Sequence, residues 1–168
     1  MPDLDRAREA PQALVFDTLS ATKAGMLWVP RSGQHPQPMA HHFDSDTGEL
    51  WYIADRMSDL VAAVGQGAEA RLTIVSDAED VHLSLLGPLV QIDNPERLRT
   101  LWGPMTGAYF AGKSPDESGA ILLRYSPREV ALWASPRNPV VFALNALRAQ
   151  ASGDTEALGY HTVITLAA

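Results

Sequence analysis

The chain has 168 residues, 46% of them hydrophobic, and a formal net charge of −7, so its summed field opposes a nucleic-acid backbone as partner. It contains no cysteine, which excludes thiolate metal sites and cysteine nucleophiles and matches a reducing compartment. The opening residues MPDLDRAREAPQALVF hold no basic segment leading into an apolar run, and no stretch approaches about 18 consecutive apolar residues, so neither secretion nor membrane spanning is expected and the cytoplasm is the expected compartment.

From Leu4 to Leu19 apolar residues recur at helical spacing, which predicts one amphipathic helix over about 4–20, interrupted at Pro11. Five β-type runs follow: AGMLWV, PMAHHF, ELWYIA, ARLTIV and VHLSLLGPLVQI, separated by turn-rich PRSGQHPQ, DSDTG and SDAED. That spacing predicts an antiparallel meander. Between the third and fourth runs, DRMSDLVAAVGQG reads as a short helix with Gly65 and Gly67 beyond its last turn. Asn94 and Pro95 predict the cap and first residue of another helix. AILLRYS and EVALWAS read as two strands joined in a hairpin around Pro127. A helix over about 138–151 opens on Asn138-Pro139 and ends near Gly153, and YHTVITLAA supplies a candidate edge strand. No repeat or linker divides the chain. The expected fold is mainly β with added α: a barrel of six or seven antiparallel strands with helices at its rim, as one domain over residues 1–168.

The segment from Gly107 to Ser114, GAYFAGKS, matches the phosphate-cradling pattern G-x-x-x-x-G-K-[ST]. Its flanks do not. TLWGPMT, with Gly103 and Pro104, cannot be the buried strand that such a loop leaves, and PDESG beyond Ser114 is a turn rather than the required helix. A surface loop is expected. His41 and His42 point to opposite faces of a strand and cannot share a metal ion, and no histidine or carboxylate stands at a recognisable ligand interval. No G-x-S-x-G elbow and no G-x-G-x-x-G fingerprint occurs, so no catalytic residue is identified. Trp28, Trp51, Trp102 and Trp133 all lie in or beside predicted elements; such rings serve as core, as dimer interface or as a wall against a flat heteroaromatic ligand.

The stretches GELWYIADRMSDLV, LWGPMTGAYFAGK and SPREVALWASPRN, in this order from about Leu14 to the C-terminus, resemble the pyridoxamine 5′-phosphate oxidase-like FMN-binding split barrels, specifically their general stress protein class. The resemblance implies a homodimer with FMN in each of two interface clefts, and puts Gly112-Lys113 on that class's Gly-Gly loop. The class pattern R-S-R-P-M falls on His35, Pro36, Gln37, Pro38 and Met39; T-D-R-R-S-A-K falls on Ala54, Asp55, Arg56, Met57, Ser58, Asp59 and Leu60. The cofactor residues implied are therefore Gln37, Pro38, Met39, Ala54, Asp55, Arg56, Ser58 and Leu60, with Trp133 approaching from the partner subunit. Gln37 and Leu60 stand where the class has an arginine and a lysine, and Ala54 where it has a hydroxyl. Losing two charge-assisted hydrogen bonds would weaken phosphate binding by about 3–6 kcal/mol. The implied function is a flavin-binding protein, an FMN-dependent oxidoreductase acting on a small substrate. The alternatives are a non-catalytic dimer that has lost tight FMN binding, or another cofactor in the same cleft, a deazaflavin or a haem, with His35, His41 or His42 on the iron.

Overall fold

The computed structural model describes residues 3–136, 138–153 and 158–166. Two helices, α1 (Asp3–Glu9) and α2 (Pro11–Ala21), replace the single helix expected over about 4–20. Ala10 leaves helical geometry at φ −143° and Pro11 becomes the first residue of α2, the position where its missing N–H costs nothing. Arg6 of α1 pairs with Asp17 of α2 across the break. Leu14, Val15, Thr18 and Leu19 form the buried face of α2, and the Thr18 hydroxyl donates to the Leu14 carbonyl at 2.7 Å.

The strands are β1 (Ala24–Trp28), β2 (Gln37–Ala40), β3 (His42–Asp44), β4 (Glu49–Asp55), β5 (Ala68–Val75), β6 (Val81–Ile92), β7 (Ala120–Tyr125), β8 (Glu129–Ala134) and β9 (Tyr160–Thr165). Among the described residues nine strands thus stand where about six or seven were expected: PMAHHF divides at His41, and the tail forms β9. Every pairing among the described strands is antiparallel, along the path β2-β1-β5-β6-β7-β4-β3. The two ends of that path are separated in sequence by His41 alone, so the sheet curls into a nearly closed barrel. The expected meander is corrected, because β4 pairs with β7 and β1 with β5, not each with its next neighbour in sequence.

The hairpin expected around Pro127 is also corrected. Strands β7 and β8 do not pair with each other; both run along β6, which pairs with β8 from Val81 to Leu86 and with β7 from Leu89 to Ile92. At the switch, Ser126 N–H donates to the Pro88 carbonyl at 3.0 Å and Arg128 N–H to the Leu86 carbonyl at 2.8 Å. Pro127, which has no N–H, occupies the gap between them. Gly87 lies under this crossing, and β9 then extends the sheet beyond β8.

Inward residues alternate along β5 and β6: Ala70, Leu72 and Ile74 face Val81, Leu83, Leu85 and Leu89, with Tyr52, Leu60, Leu123 and Tyr125 completing the barrel core. Outside the wall, helices α4 (Pro95–Leu101) and α5 (Pro104–Tyr109) build a second cluster of Trp51, Leu98, Phe110, Ala120 and Leu122. The expected caps are present. Asn94 accepts from Arg97 N–H at α4, and Asn138 from Val140 N–H at α6 (Pro139–Ser152), which ends on left-handed Gly153; α3 (Asp59–Val64) has a cap the sequence reading did not name, Ser58, which accepts from Val61 N–H. Among the described residues no helix is long and apolar enough to cross a membrane.

Candidate functional site

On the outer wall of the barrel, β2, β3, β4, the start of α3 and α5 enclose a cleft of about 340 Å³. Strand β2 supplies Gln37, Pro38, Met39 and Ala40, and His42 follows from β3. Strand alternation puts Leu50 and Tyr52 of β4 in the core, so Ile53 and Asp55 turn the other way, toward the cleft. The far wall is α5. Met105 and Tyr109, four residues apart on one helix face, are 84% and 81% exposed above the cleft, with Thr106 between them. Phe110 anchors this wall: it is buried, and its ring lies 5.2 Å from that of Trp102 and 5.4 Å from that of Tyr109.

The polar groups at the α3 end are already engaged. Asp55 Oδ1 accepts from Met57 N–H at 2.8 Å, Ser58 N–H donates to the Asp55 carbonyl at 3.0 Å, and Ser58 Oγ accepts from Val61 N–H at 3.3 Å. Burial, reinforced by the nearby Arg97 cation, lowers the His42 pKa and favours its neutral ring. Arg97 itself lies over the Trp51 ring at 4.6 Å and pairs with Asp44 at 3.0 Å, which holds the Asp44 carboxyl below its usual range. The walls are mainly apolar, with polar groups from Gln37, His42, Asp55, Ser58 and Thr106 and no lysine or arginine among the described lining residues.

Six of the nine residues expected at a cofactor site line this one cleft: Gln37, Pro38, Met39, Ala54, Asp55 and Ser58. Three do not. Arg56 lines a separate cavity of about 450 Å³ with Gln91, Asp93 and Asp116. Leu60 is fully buried in the barrel core. Trp133 lies on β8, opposite His82 on one side and His161 on the other, with its ring stacked on that of His161 at 4.9 Å. His41 and His42 do face apart: His41 Nε2–H donates to the Leu19 carbonyl at 3.0 Å, while His42 borders the cleft. Among the described residues no group of three His, Asp or Glu side chains could hold a metal ion.

Sequence reasoning missed Ala40, Ile53, Met105, Thr106, Tyr109 and Phe110, and considered His42 only for a metal or haem iron. The G-x-x-x-x-G-K-S stretch is no phosphate cradle, since Gly107 lies inside α5 and a turn, not a helix, follows Ser114. Its aromatic pair is nonetheless part of the site. The signal available was the apolar spacing of Met105 and Tyr109 just before a turn with Ala111 and Gly112 at positive φ.

A family model described as pyridoxamine 5′-phosphate oxidase like matches residues 11–157. Among solved structures, a Jannaschia sp. CCS1 protein ascribed to general stress protein 26 shares 24% identity at a TM-score of 0.72, covering 90% of this chain and 95% of that one. The general stress FMN/FAD binding protein of Xanthomonas citri shares 24% identity at a TM-score of 0.65, covering 73% of this chain and 87% of its own. A Clostridium acetobutylicum protein related to general stress protein 26, of the pyridoxinephosphate oxidase family, shares 15% at 0.60, covering 79% and 90%. No curated protein matches the chain.

Proposed function

Because the chain belongs to the pyridoxamine 5′-phosphate oxidase-like family, we propose that it is a flavin-binding protein of the general stress type that holds an isoalloxazine ring in the β2–β4–α5 cleft. The observation that carries this is the convergence of Gln37, Pro38, Met39, Ala54, Asp55 and Ser58, drawn from two separate stretches of sequence, on one ligand-sized cleft. Met39, Ile53, Tyr109 and Phe110 offer an apolar wall to the ring, and Gln37 and Thr106 offer hydrogen-bonding groups to its edge. The residues fit the ring but not the phosphate of FMN. No lysine or arginine is among the described residues that line the cleft.

In this reading residues 1–168 act as one split-barrel domain in a cytoplasmic homodimer. Two surfaces support a second copy. Met26 and Val75 are exposed on barrel strands β1 and β5 and Trp133 and Val163 on β8 and β9, and Val140, Leu144 and Leu147 are exposed on α6. Trp133 of one copy would then border the cleft of the other. A bound flavin would supply the electron chemistry of an oxidoreductase, and the chain would hold and cover the ring. The second reading is a non-catalytic dimer without tight FMN binding, favoured by the missing cations.

A purified sample tests both. Flavin absorbance near ~450 nm surviving gel filtration at dimer size, or quenching of added flavin fluorescence, supports the first reading. A colourless dimer that quenches neither FMN nor riboflavin leaves the second.

A further inference from the structure

Given a flavin-type ring in the cleft, as proposed above, we infer that the site selects a phosphate-free alloxazine, such as riboflavin, over FMN. The charge of the lining carries this. Asp55 is its one carboxylate, Lys and Arg are missing from the described lining, and the imidazole of His42 is its one basic group. Desolvation and the Arg97 cation keep that imidazole neutral rather than available as a counter-ion.

The start of α3 offers no cation in replacement. The amides of Met57 and Val61, which could donate to an anion, already donate to Asp55 Oδ1 and Ser58 Oγ. Asp59, in the first turn, adds a second carboxylate at the same end. A phosphate there would lie against two negative charges and would find only the amides of Asp59 and Leu60 open to it unless it displaced one of those hydrogen bonds. The cations nearest in sequence are elsewhere: Arg56 borders the cavity of Gln91, Asp93 and Asp116, and position 60 is a buried leucine. A neutral ring edge meets none of these obstacles, since Gln37 can donate and accept at the same site.

Fluorescence-quenching titration of the full chain with riboflavin and with FMN tests the inference. Riboflavin is expected to bind about tenfold or more tightly, the gap narrowing as added salt screens the carboxylates. Asp55→Asn, which keeps the turn's acceptor and removes its charge, and Gln37→Arg, which adds a cation, should each move the FMN-to-riboflavin affinity ratio toward one. Arg56→Ala should leave that ratio as in the wild type. FMN binding as tightly as riboflavin would overturn the inference while leaving the flavin cleft standing, and would assign the phosphate's cations to a second copy of the chain. A selective loss of FMN in Arg56→Ala would overturn it by assigning that role to Arg56. Failure of both flavins to quench at about millimolar concentration would overturn the cleft reading itself, and this inference with it.

Discussion

Gly87 and Ser126 approach so closely that a methyl group on Gly87 would lie 2.3 Å from the Ser126 carbonyl oxygen and 2.7 Å from the Pro127 Cα. Both obstacles are backbone, held by the Ser126 and Arg128 hydrogen bonds to β6, so neither can swing aside. Gly87→Ala is expected to cost about 3 kcal/mol and to lower the melting temperature by about 6–12 °C. A thermal melt within two degrees of wild type would show that the change of partner on β6 is looser than its geometry indicates.

Tyr109 and Phe110 are neighbours with opposite duties. Tyr109 is 81% exposed over the cleft, and Phe110 is buried against Trp102. Tyr109→Ala should leave stability within about 0.5 kcal/mol while weakening flavin binding severalfold. Phe110→Ala should destabilise the fold by about 3 kcal/mol. Paired urea melts and quenching titrations separate the two effects.

At position 60 the chain has a leucine with no exposed surface, where its stress-protein relatives are expected to have a lysine. Leu60→Lys would place an ammonium group among Val61, Val64 and the barrel core. The expected result is a loss of about 2–4 kcal/mol, read by denaturant midpoint, rather than a gain in FMN affinity. Gln37→Arg, on the half-buried strand at the cleft, should strengthen FMN without that loss.

His41 makes stability depend on pH. Desolvation lowers its folded-state pKa below 6.5, and its Nδ1 is buried without a hydrogen-bond partner. At pH values above 6.5 both folded and unfolded chains keep the ring neutral, and its contribution is intact. As pH falls below that value the unfolded chain takes up the proton first, so stability declines until the folded-state pKa is passed. Urea midpoints at about pH 7.5 and 5.5 should therefore fall less for His41→Gln than for wild type, with part of the slope remaining through His42. Equal slopes would show that the ring is not buried as a neutral group.

Arg97 links the barrel wall to α4 by lying over Trp51 and pairing with Asp44. Arg97→Met keeps the apolar stem and removes the cation, and is expected to cost about 1–2 kcal/mol. Loss of the Asp44 partner also frees that carboxyl to titrate higher, so the deficit should shrink as the pH falls into the carboxylate range. Parallel denaturation curves at two pH values measure it.

Local chemistry alone determined the punctuation of this chain. Ser58, Asn94 and Asn138 cap helices because their side-chain oxygens reach amides three residues or fewer away, and the alternation in β5 and β6 marks their inner face because successive side chains point apart. The family motifs likewise marked six cleft residues. The tertiary structure alone decided that β6 changes partner at Gly87, that β7 and β8 lie end to end along it, that Leu60 turns into the core, and that α5 closes the cleft over β2. Each of these depends on segments far apart in the chain coming together, as those of Gln37 and Tyr109 do in lining one cleft, and that is set by how the whole barrel wall packs. No short window of sequence carries that information, because the free energy that selects the pairing is shared among all the strands that close the barrel.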